Sequence, residues 1–163
     1  MRFLGFAVVT GAAIMLGACG GGETATTDSA AAPAAAPAAA PAAAPAAAAP
    51  ITGQIHEINM VGDEKGYHFV PSDITIKAGD GIKFNMVSGA PHNVAFDPAL
   101  LPADVKAVLL ANMPEQMGEL SGKMLLNAGE SYTISFAGVP AGTYEFNCTP
   151  HLAMNMKGKV TVQ

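Results

Sequence analysis

The chain has 163 residues, a formal net charge of −5 at pH 7, two cysteines and four histidines. Residues 51–163 carry seven lysines and eleven acidic side chains, and this mildly acidic balance argues against nucleic acid as a partner, because nucleic acid is bound by basic faces. The first third of the chain differs in composition from the rest, so the length supports one domain of moderate size.

Residues 1–18 have the pattern of a signal peptide. Arg2 precedes an apolar stretch from Phe3 to Leu16. A membrane-spanning helix needs about 20 apolar residues, and this stretch is shorter, so the pattern predicts cleaved export rather than a spanning anchor. We therefore expect the mature protein outside the cytoplasm.

The sequence LGAC at residues 16–19 resembles the lipobox of bacterial lipoproteins. The resemblance implies that Cys19 becomes the first mature residue and carries lipid, which would place an exported, membrane-anchored lipoprotein on the periplasmic side. The alternative is ordinary cleavage near Ala18 that leaves Cys19 free. If Cys19 is lipidated, Cys148 has no disulfide partner in the chain.

Residues 19–50 have the composition of a spacer. They are rich in Gly, Thr and Ser at first and then in alanine, with prolines at positions 33, 37, 41, 45 and 50. Such a segment cannot form a core, and at about 3.1 Å per residue the 21 positions from Ala30 to Pro50 would span roughly 65 Å. We predict a lipidated Ala/Pro-rich tether that leads to a domain at residues 51–163.

From Ile51 onward, short alternating runs are broken by Gly, Pro and Asp, which is typical of an all-β sandwich or barrel. The pattern predicts eight strands, near residues 54–61, 66–70, 74–77, 82–87, 92–96, 130–136, 142–148 and 157–162. It also predicts one short helix at residues 102–110, with Val105, Val108 and Leu109 on one face.

The sequence CTPHLAMNM at residues 148–156 holds three types of metal ligand. Because side chains alternate along a strand, Cys148 shares a face with Tyr144 and Phe146 and is expected to face the core. A lone buried thiol is ordinarily a small hydrophobe, but His151 and Met156 follow within eight positions. Met154 is a second candidate for the methionine ligand.

A second histidine ligand is expected from the sequence GAPHNVAF at residues 89–96. His92, Val94 and Phe96 alternate onto one face there. His56 and His68 lie in predicted strands without a second ligand beside them, so we interpret both as structural or surface histidines.

Two imidazoles, one thiolate and one weakly held thioether make the donor set of a blue copper site. A structural zinc site would need four ligands drawn from Cys and His, and methionine replaces one of them here. The donor set therefore predicts one copper ion of type 1, which cycles between Cu(I) and Cu(II).

Five segments, FVPSDITIKAGDGIKF, PHNVAFD, LNAGESYTISF, GTYEFNCTPH and MKGKVTV, resemble the plastocyanin family, in order and across nearly all of residues 53–163. The resemblance implies the cupredoxin fold, an eight-stranded Greek-key sandwich. It implies copper ligands at His92, Cys148, His151 and Met156. It also implies that Asn93 braces the ligand loops near the thiolate.

The resemblance is weaker at two places. Asn147 precedes the ligand cysteine where the photosynthetic proteins have tyrosine, and their acidic clusters are reduced to Glu115 and Glu119. A partner that recognises an acidic face, as cytochrome f does, is therefore disfavoured. The resemblance implies instead that electrons pass through His151 and that partners dock on an apolar surface around it, formed by Gly89, Ala90, Pro91, Leu152 and Ala153.

These features predict a membrane-tethered, monomeric electron carrier that faces the periplasm, serves redox partner proteins and is not an enzyme. One alternative is copper handling, because Met113, Met117 and Met124 could hold Cu(I), although the spacing of Met113 and Met117 favours a helix packed on the core. Another is a unit of a multicopper oxidase or nitrite reductase, which would need further domains or histidine pairs.

Overall fold

The computed structural model describes residues 48–163, so the predicted signal peptide, Cys19 and most of the predicted tether lie outside the described residues. Within them the chain forms eight strands and one α-helix. They are β1 (Ile55–Asp63), β2 (Gly66–Val70), β3 (Asp73–Ile76), β4 (Gly81–Met86), β5 (Ala95–Phe96), α1 (Ala103–Asn112), β6 (Ser131–Ser135), β7 (Gly142–Asn147) and β8 (Lys157–Val162). No helix in this part of the chain has the length and apolarity to cross a membrane.

The strands form two four-stranded sheets, in the orders β2-β1-β4-β6 and β3-β8-β7-β5. β1 pairs in parallel with β4, from Ile55 opposite Gly81 to Met60 opposite Met86. The predicted all-β sandwich with one short helix is confirmed. The parallel register places the starts of β1 and β4 at one end of the sandwich and the loop that leads to His92 at the other.

Alternation along the strands builds the core between the sheets. In β4, Ile82, Phe84 and Met86 are buried, and the rings of Phe84 and Phe146 meet edge to face at 5.4 Å between centroids. Gly158 on β8 leaves room for this ring, because a Cβ there would lie 2.4 Å from Phe146. The close approach requires glycine at this position.

The helix α1 begins one residue later and ends two residues later than predicted, with Pro102 before its first residue. Val105 and Leu109 are buried as predicted, and Val108 is partly buried against the core. Asn112 ends the helix as a buried polar residue. Its side chain accepts a hydrogen bond from the Ala49 N–H (3.1 Å) and donates one to the Ala137 carbonyl (2.9 Å).

The predicted strand at residues 92–96 is wrong at its start, since only Ala95 and Phe96 form β5. His92 instead makes an isolated antiparallel bridge with Leu125, in which each backbone N–H donates to the other residue's carbonyl. The segment is buried on both faces, Asn93 and Ala95 included. Alternation of burial therefore could not indicate where pairing begins.

A carboxylate at the other end of the sandwich joins three segments. Asp80 accepts hydrogen bonds from the backbone N–H of Gln54 (2.8 Å) and of Lys77 (3.0 Å), and its Oδ2 lies 2.9 Å from Nε2 of His56. The hydrogen bonds, that from Lys77 first, lower the pKa of Asp80 to about 2. His56 thus has the structural role predicted for it, and His68 is half-exposed with its Nε2 3.6 Å from the Asp63 carboxylate.

Candidate metal centre

Cys148 stands directly after β7 and is fully buried. Its backbone N–H donates to the Met156 carbonyl at 3.1 Å, which extends the pairing of β7 with β8 by one step beyond Asn147 and Lys157. The sheet therefore holds the cysteine rigidly, with its thiol on the core side as the alternation of β7 predicts.

A short 3₁₀ helix at Thr149–Met154, which sequence analysis treated as a loop, carries His151. The His151 N–H donates to the Cys148 carbonyl (3.1 Å), and the Met156 N–H donates to the His151 carbonyl (3.2 Å). Asn155 ends the turn in the left-handed conformation, with φ 61°, which asparagine tolerates better than most residues. Backbone hydrogen bonds thus close the segment from Cys148 to Met156 on itself.

Two imidazole nitrogens converge on the thiol. Sγ of Cys148 lies 3.5 Å from Nδ1 of His92 and 3.4 Å from Nδ1 of His151. The three ligand atoms all lie within 4.8 Å of one another, and all three residues are buried. A sulfur bound at about 2.3 Å and a nitrogen bound at about 2.0 Å to the same metal ion, at a tetrahedral angle, lie about 3.5 Å apart. The observed distances between sulfur and nitrogen therefore fit one metal ion.

The protonation of His92 is set by Ser88, a residue that sequence analysis missed. Nε2 of His92 lies 2.8 Å from the Ser88 carbonyl oxygen, which accepts a hydrogen bond only from a protonated nitrogen. Nδ1 therefore keeps its lone pair for the metal. Ser88 is itself held by β1, since its hydroxyl donates to the Gly62 carbonyl at 2.9 Å.

Asn93 joins the two ligand loops, as the resemblance implied. Its Oδ1 accepts a hydrogen bond from the Thr149 N–H at 2.8 Å, and its Nδ2 donates to the hydroxyls of Ser121 (3.1 Å) and Thr149 (3.2 Å). The side chain is almost fully buried. It therefore ties the loop of His92 to the residue that follows Cys148.

Without a metal, the pocket favours neutral groups. Burial raises the pKa of the Cys148 thiol, although the backbone N–H groups of Asn93 and His151 oppose the change. Burial also lowers the pKa of His92, although the hydrogen bond with the Ser88 carbonyl opposes this change. The pKa of His151 is lowered mainly by burial and further by the charge of His92. A bound cation would reverse the preference at sulfur, because metal binding displaces the thiol proton.

The two candidate methionines lie in different environments. Met156 is fully buried, whereas Met154 is 57% exposed. Met156 is also hydrogen-bonded through its backbone to both Cys148 and His151. His92, Cys148, His151 and Met156 are thus arranged as a type 1 copper site.

Most residues of the predicted apolar docking surface are exposed. Ala90, Pro91, Leu152 and Ala153 are exposed and Gly89 is half-buried, but His151 itself is only 5% exposed. Met154, in the same stretch as Leu152 and Ala153, is exposed as well. Sequence analysis missed one further exposed apolar residue, Leu126, which follows the partner of His92 in the isolated bridge.

Glu115 and Glu119, which remain from the acidic clusters of the family, are each paired with a lysine of the same chain. Nζ of Lys123 lies 2.6 Å from the Glu115 carboxylate, and Nζ of Lys106 lies 2.6 Å from that of Glu119. Both pairs neutralise the charge that a basic partner would recognise.

Tyr67 on β2 is a further residue that sequence analysis missed. Its ring stacks on the His151 imidazole, with 3.6 Å between centroids and 11° between planes. The sequence GYHFV at residues 66–70 could have indicated this position, because alternation places Tyr67 on the same face as the core residue Phe69.

Comparisons with known proteins agree with this site. Residues 56–163 match the family described as copper binding proteins, plastocyanin/azurin family. The chain belongs to the plastocyanin/azurin family. This family consists of electron carriers and not of enzymes.

The chain is similar to plastocyanin from Rumex obtusifolius, with 41% identity over 108 residues that cover 66% of this chain and 99% of the relative. Plastocyanin from Solanum crispum is 42% identical over 107 residues, covering 65% of this chain and 98% of the relative. An oxidised plastocyanin from Dryopteris crassirhizoma superimposes with a TM-score of 0.52 at 37% identity, over 66% of this chain and 99% of that one. The similarity confirms the cupredoxin fold.

Proposed function

We propose that this plastocyanin/azurin family member carries single electrons between redox proteins and is not itself an enzyme. The observation that carries the proposal is the pair of imidazole Nδ1 atoms at 3.4 Å and 3.5 Å from one buried sulfur. His92, Cys148 and His151 would be the strong ligands and Met156 the weak axial one. A copper ion held there would supply a one-electron couple between Cu(I) and Cu(II), as type 1 sites do.

The chain's contribution is to keep these ligands in place whichever charge the ion has. Cys148 is fixed by the ladder between β7 and β8, His92 by the carbonyl of Ser88, and the two loops by Asn93. Each restraint comes from a different part of the fold. A donor set held in this way changes little between oxidation states, which favours fast electron exchange.

We propose that partners dock on the apolar surface formed by Ala90, Pro91, Leu126, Leu152, Ala153 and Met154. Redox encounters bury small areas, so a surface of this kind suffices for brief contact. The ion pairs of Glu115 and Glu119 support apolar rather than charge-directed docking. The donor and the acceptor would then present uncharged surfaces around their own redox groups.

The location is proposed from the N-terminal sequence. A signal peptide at residues 1–18, lipid on Cys19 and a tether through residue 50 would hold the domain on the periplasmic face of a membrane. Cell fractionation of Cys19→Ala tests the anchor. Release of the variant into the soluble periplasmic fraction supports lipidation, and retention in the membrane fraction argues against it.

Copper handling has weaker support than electron transfer. Met113 is buried in the core, and it follows α1 rather than lying within it. The prediction that Met117 packs on the core is wrong, because it is 67% exposed and its Sδ accepts a hydrogen bond from the Met124 N–H at 3.2 Å. Met113 is therefore buried in the core, whereas Met117 is exposed beside the backbone of Met124.

Addition of Cu(II) to the purified protein tests the proposed function directly. A strong blue absorption band, removed by reductant and restored by oxidant, is the expected result because it requires a thiolate bound to copper. Binding of copper without such a band would favour copper handling. No binding at all would exclude both functions.

A further inference from the structure

The two histidines of the metal centre are restrained in different ways. The ring of His92 is oriented by the hydrogen bond from Nε2 to Ser88, as metal-ligating histidines usually are by a group on the far nitrogen. For the His151 side chain, the one hydrogen bond found among residues 48–163 involves Nδ1, which faces Cys148. Another contact must therefore orient this imidazole.

The stack with Tyr67 is the contact that meets this need. Its centroid separation of 3.6 Å is shorter than the 4.5–7 Å usual for aromatic pairs. The same ring also meets His92 edge-on at 6.1 Å, with 63° between planes. One side chain of β2 thus contacts both imidazoles.

The fold leaves a slot for the Tyr67 ring. Gly62 is the partner of Tyr67 in the pairing of β1 with β2, and a Cβ on Gly62 would lie 2.9 Å from Cε1 of the ring. A Cβ on Gly89, in the loop that leads to His92, would lie 3.0 Å from the same atom. Two glycines from separate segments therefore make room for an aromatic residue beside the ligands.

We propose that Tyr67 is a positioning residue of the metal centre, whose ring holds the plane of the His151 imidazole so that Nδ1 faces the Cys148 sulfur before a metal arrives. The proposal rests on the proposed function, since it needs His151 to be a ligand. The aromatic ring carries the effect. The hydroxyl has no part in it.

Loss of the ring should weaken metal binding because His151 would have to be ordered when the ion binds. An aromatic pair contributes about 0.5–1.5 kcal/mol beyond its buried area. At about 1.4 kcal/mol per tenfold, this corresponds to a roughly 2- to 12-fold loss of affinity.

The test compares Tyr67→Phe, which keeps the ring, with Tyr67→Leu, which keeps apolar volume only. Phe69→Leu is the matched control, because it also replaces an aromatic ring with leucine on the same strand but at a residue packed against Phe84 and Phe146. Two quantities are measured. One is the Cu(I) dissociation constant by competition with a colorimetric chelator, and the other is the NMR shift of the His151 ring protons in the metal-free protein.

We expect Tyr67→Phe to match the wild type in both quantities. We expect Tyr67→Leu to lose the upfield ring-current shift and to bind Cu(I) roughly 2- to 12-fold more weakly. Phe69→Leu should lower the melting temperature without changing either quantity. If Tyr67→Leu does not fold, Tyr67→Met supplies a second variant without a ring.

Three results would overturn the proposal: unchanged Cu(I) affinity in the ring-free variants, equal weakening in Tyr67→Phe, or equal weakening in Phe69→Leu. None of these affects the proposed function if the wild type still shows the blue band. A wild type that binds no copper would overturn both, so the two failures are distinguishable.

Discussion

Asn93 and Thr149, 56 positions apart in sequence, are joined by two hydrogen bonds, one from the Thr149 N–H to Oδ1 at 2.8 Å and one between Nδ2 and the Thr149 hydroxyl at 3.2 Å. This pair connects the loop of His92 to the segment that carries Cys148 and His151. The geometry of the metal centre therefore depends on a residue that is not one of the four candidate ligands.

Asn93→Ala should destabilise the protein by about 1–3 kcal/mol, because it removes the hydrogen bonds that the almost fully buried Asn93 side chain makes to Thr149 and Ser121. It should also broaden the blue band, since the two ligand loops are no longer held together. Chemical denaturation and visible spectroscopy measure the two effects. Asn59→Ala is the control, since the exposed Asn59 side chain makes one long 3.4 Å hydrogen bond, with Asn85, within residues 48–163. A comparable loss there would argue against a specific role for Asn93.

Cys148→Ser should abolish the blue band and leave the fold nearly intact. A hydroxyl cannot supply the soft, charge-donating thiolate on which the absorption depends, but it fills a similar space beside the two imidazoles. Visible absorption and circular dichroism are the measurements. Cys19→Ser, the matched change at the other cysteine, should keep the colour. Unfolding of the Cys148 variant would show that the thiol acts mainly in core packing.

Met156→Leu should keep copper bound and raise the reduction potential, because the weak axial ligand tunes the potential more than it retains the metal. Met154→Leu is the matched control on the exposed side of the loop and should leave the potential unchanged. Protein-film voltammetry on both variants decides the assignment. A shift in the Met154 variant alone would assign the axial position to that residue.

Folding stability should fall in acid as Asp80 becomes protonated. The pKa of this carboxyl is lowered from 3.8 to about 2 by hydrogen bonds from the Lys77 backbone, the His56 side chain and the Gln54 backbone. A group whose pKa is lower in the folded state stabilises the protein above its unfolded pKa, and this contribution is lost between pH about 4 and about 2.

Urea denaturation of the metal-free protein at several pH values between 5 and 2 checks this expectation. Asp80→Asn should be less stable at pH 5 and should show a flatter decline in acid. Glu57→Gln, at an exposed carboxylate that lies 3.6 Å from Nζ of Lys83, serves as control. An unchanged slope in Asp80→Asn would show that other carboxyls govern acid unfolding.

Leu152→Glu should slow electron self-exchange between the Cu(I) and Cu(II) forms, because two copies must bring their apolar surfaces together and the new charges would repel. Added salt should partly restore the rate by screening, whereas the wild-type rate should depend only weakly on salt. NMR line broadening measures the exchange. Leu100→Glu, at an exposed leucine in the loop before α1, should have little effect; equal slowing there would point to net charge rather than to the docking surface.

The composition of the donor set and the orientation of its sulfur could be predicted from the sequence. Alternation along β7 is a local, period-two property, so Tyr144, Phe146 and Cys148 could be assigned to the core face before any contact was known. Cys148, His151 and Met156 are expected to lie close together because they fall within nine consecutive positions of the sequence. Alternation also located the ends of the strands to within about two residues. The start of β5 is the exception, because this segment is buried on both faces and shows no alternation.

Tertiary structure alone decided how the ligands are held. Whether Met154 or Met156 is buried depends on the 3₁₀ turn and on the pairing of β7 with β8, and Nε2 of His92 is protonated only because the Ser88 carbonyl lies beside it. The stack of Tyr67 on His151 joins residues 84 positions apart, and the ion pairs of Glu115 and Glu119 depend on lysines brought close by folding. Periodicity reports only which way a side chain faces, not which other side chain or carbonyl it meets, so none of these contacts could be derived from it.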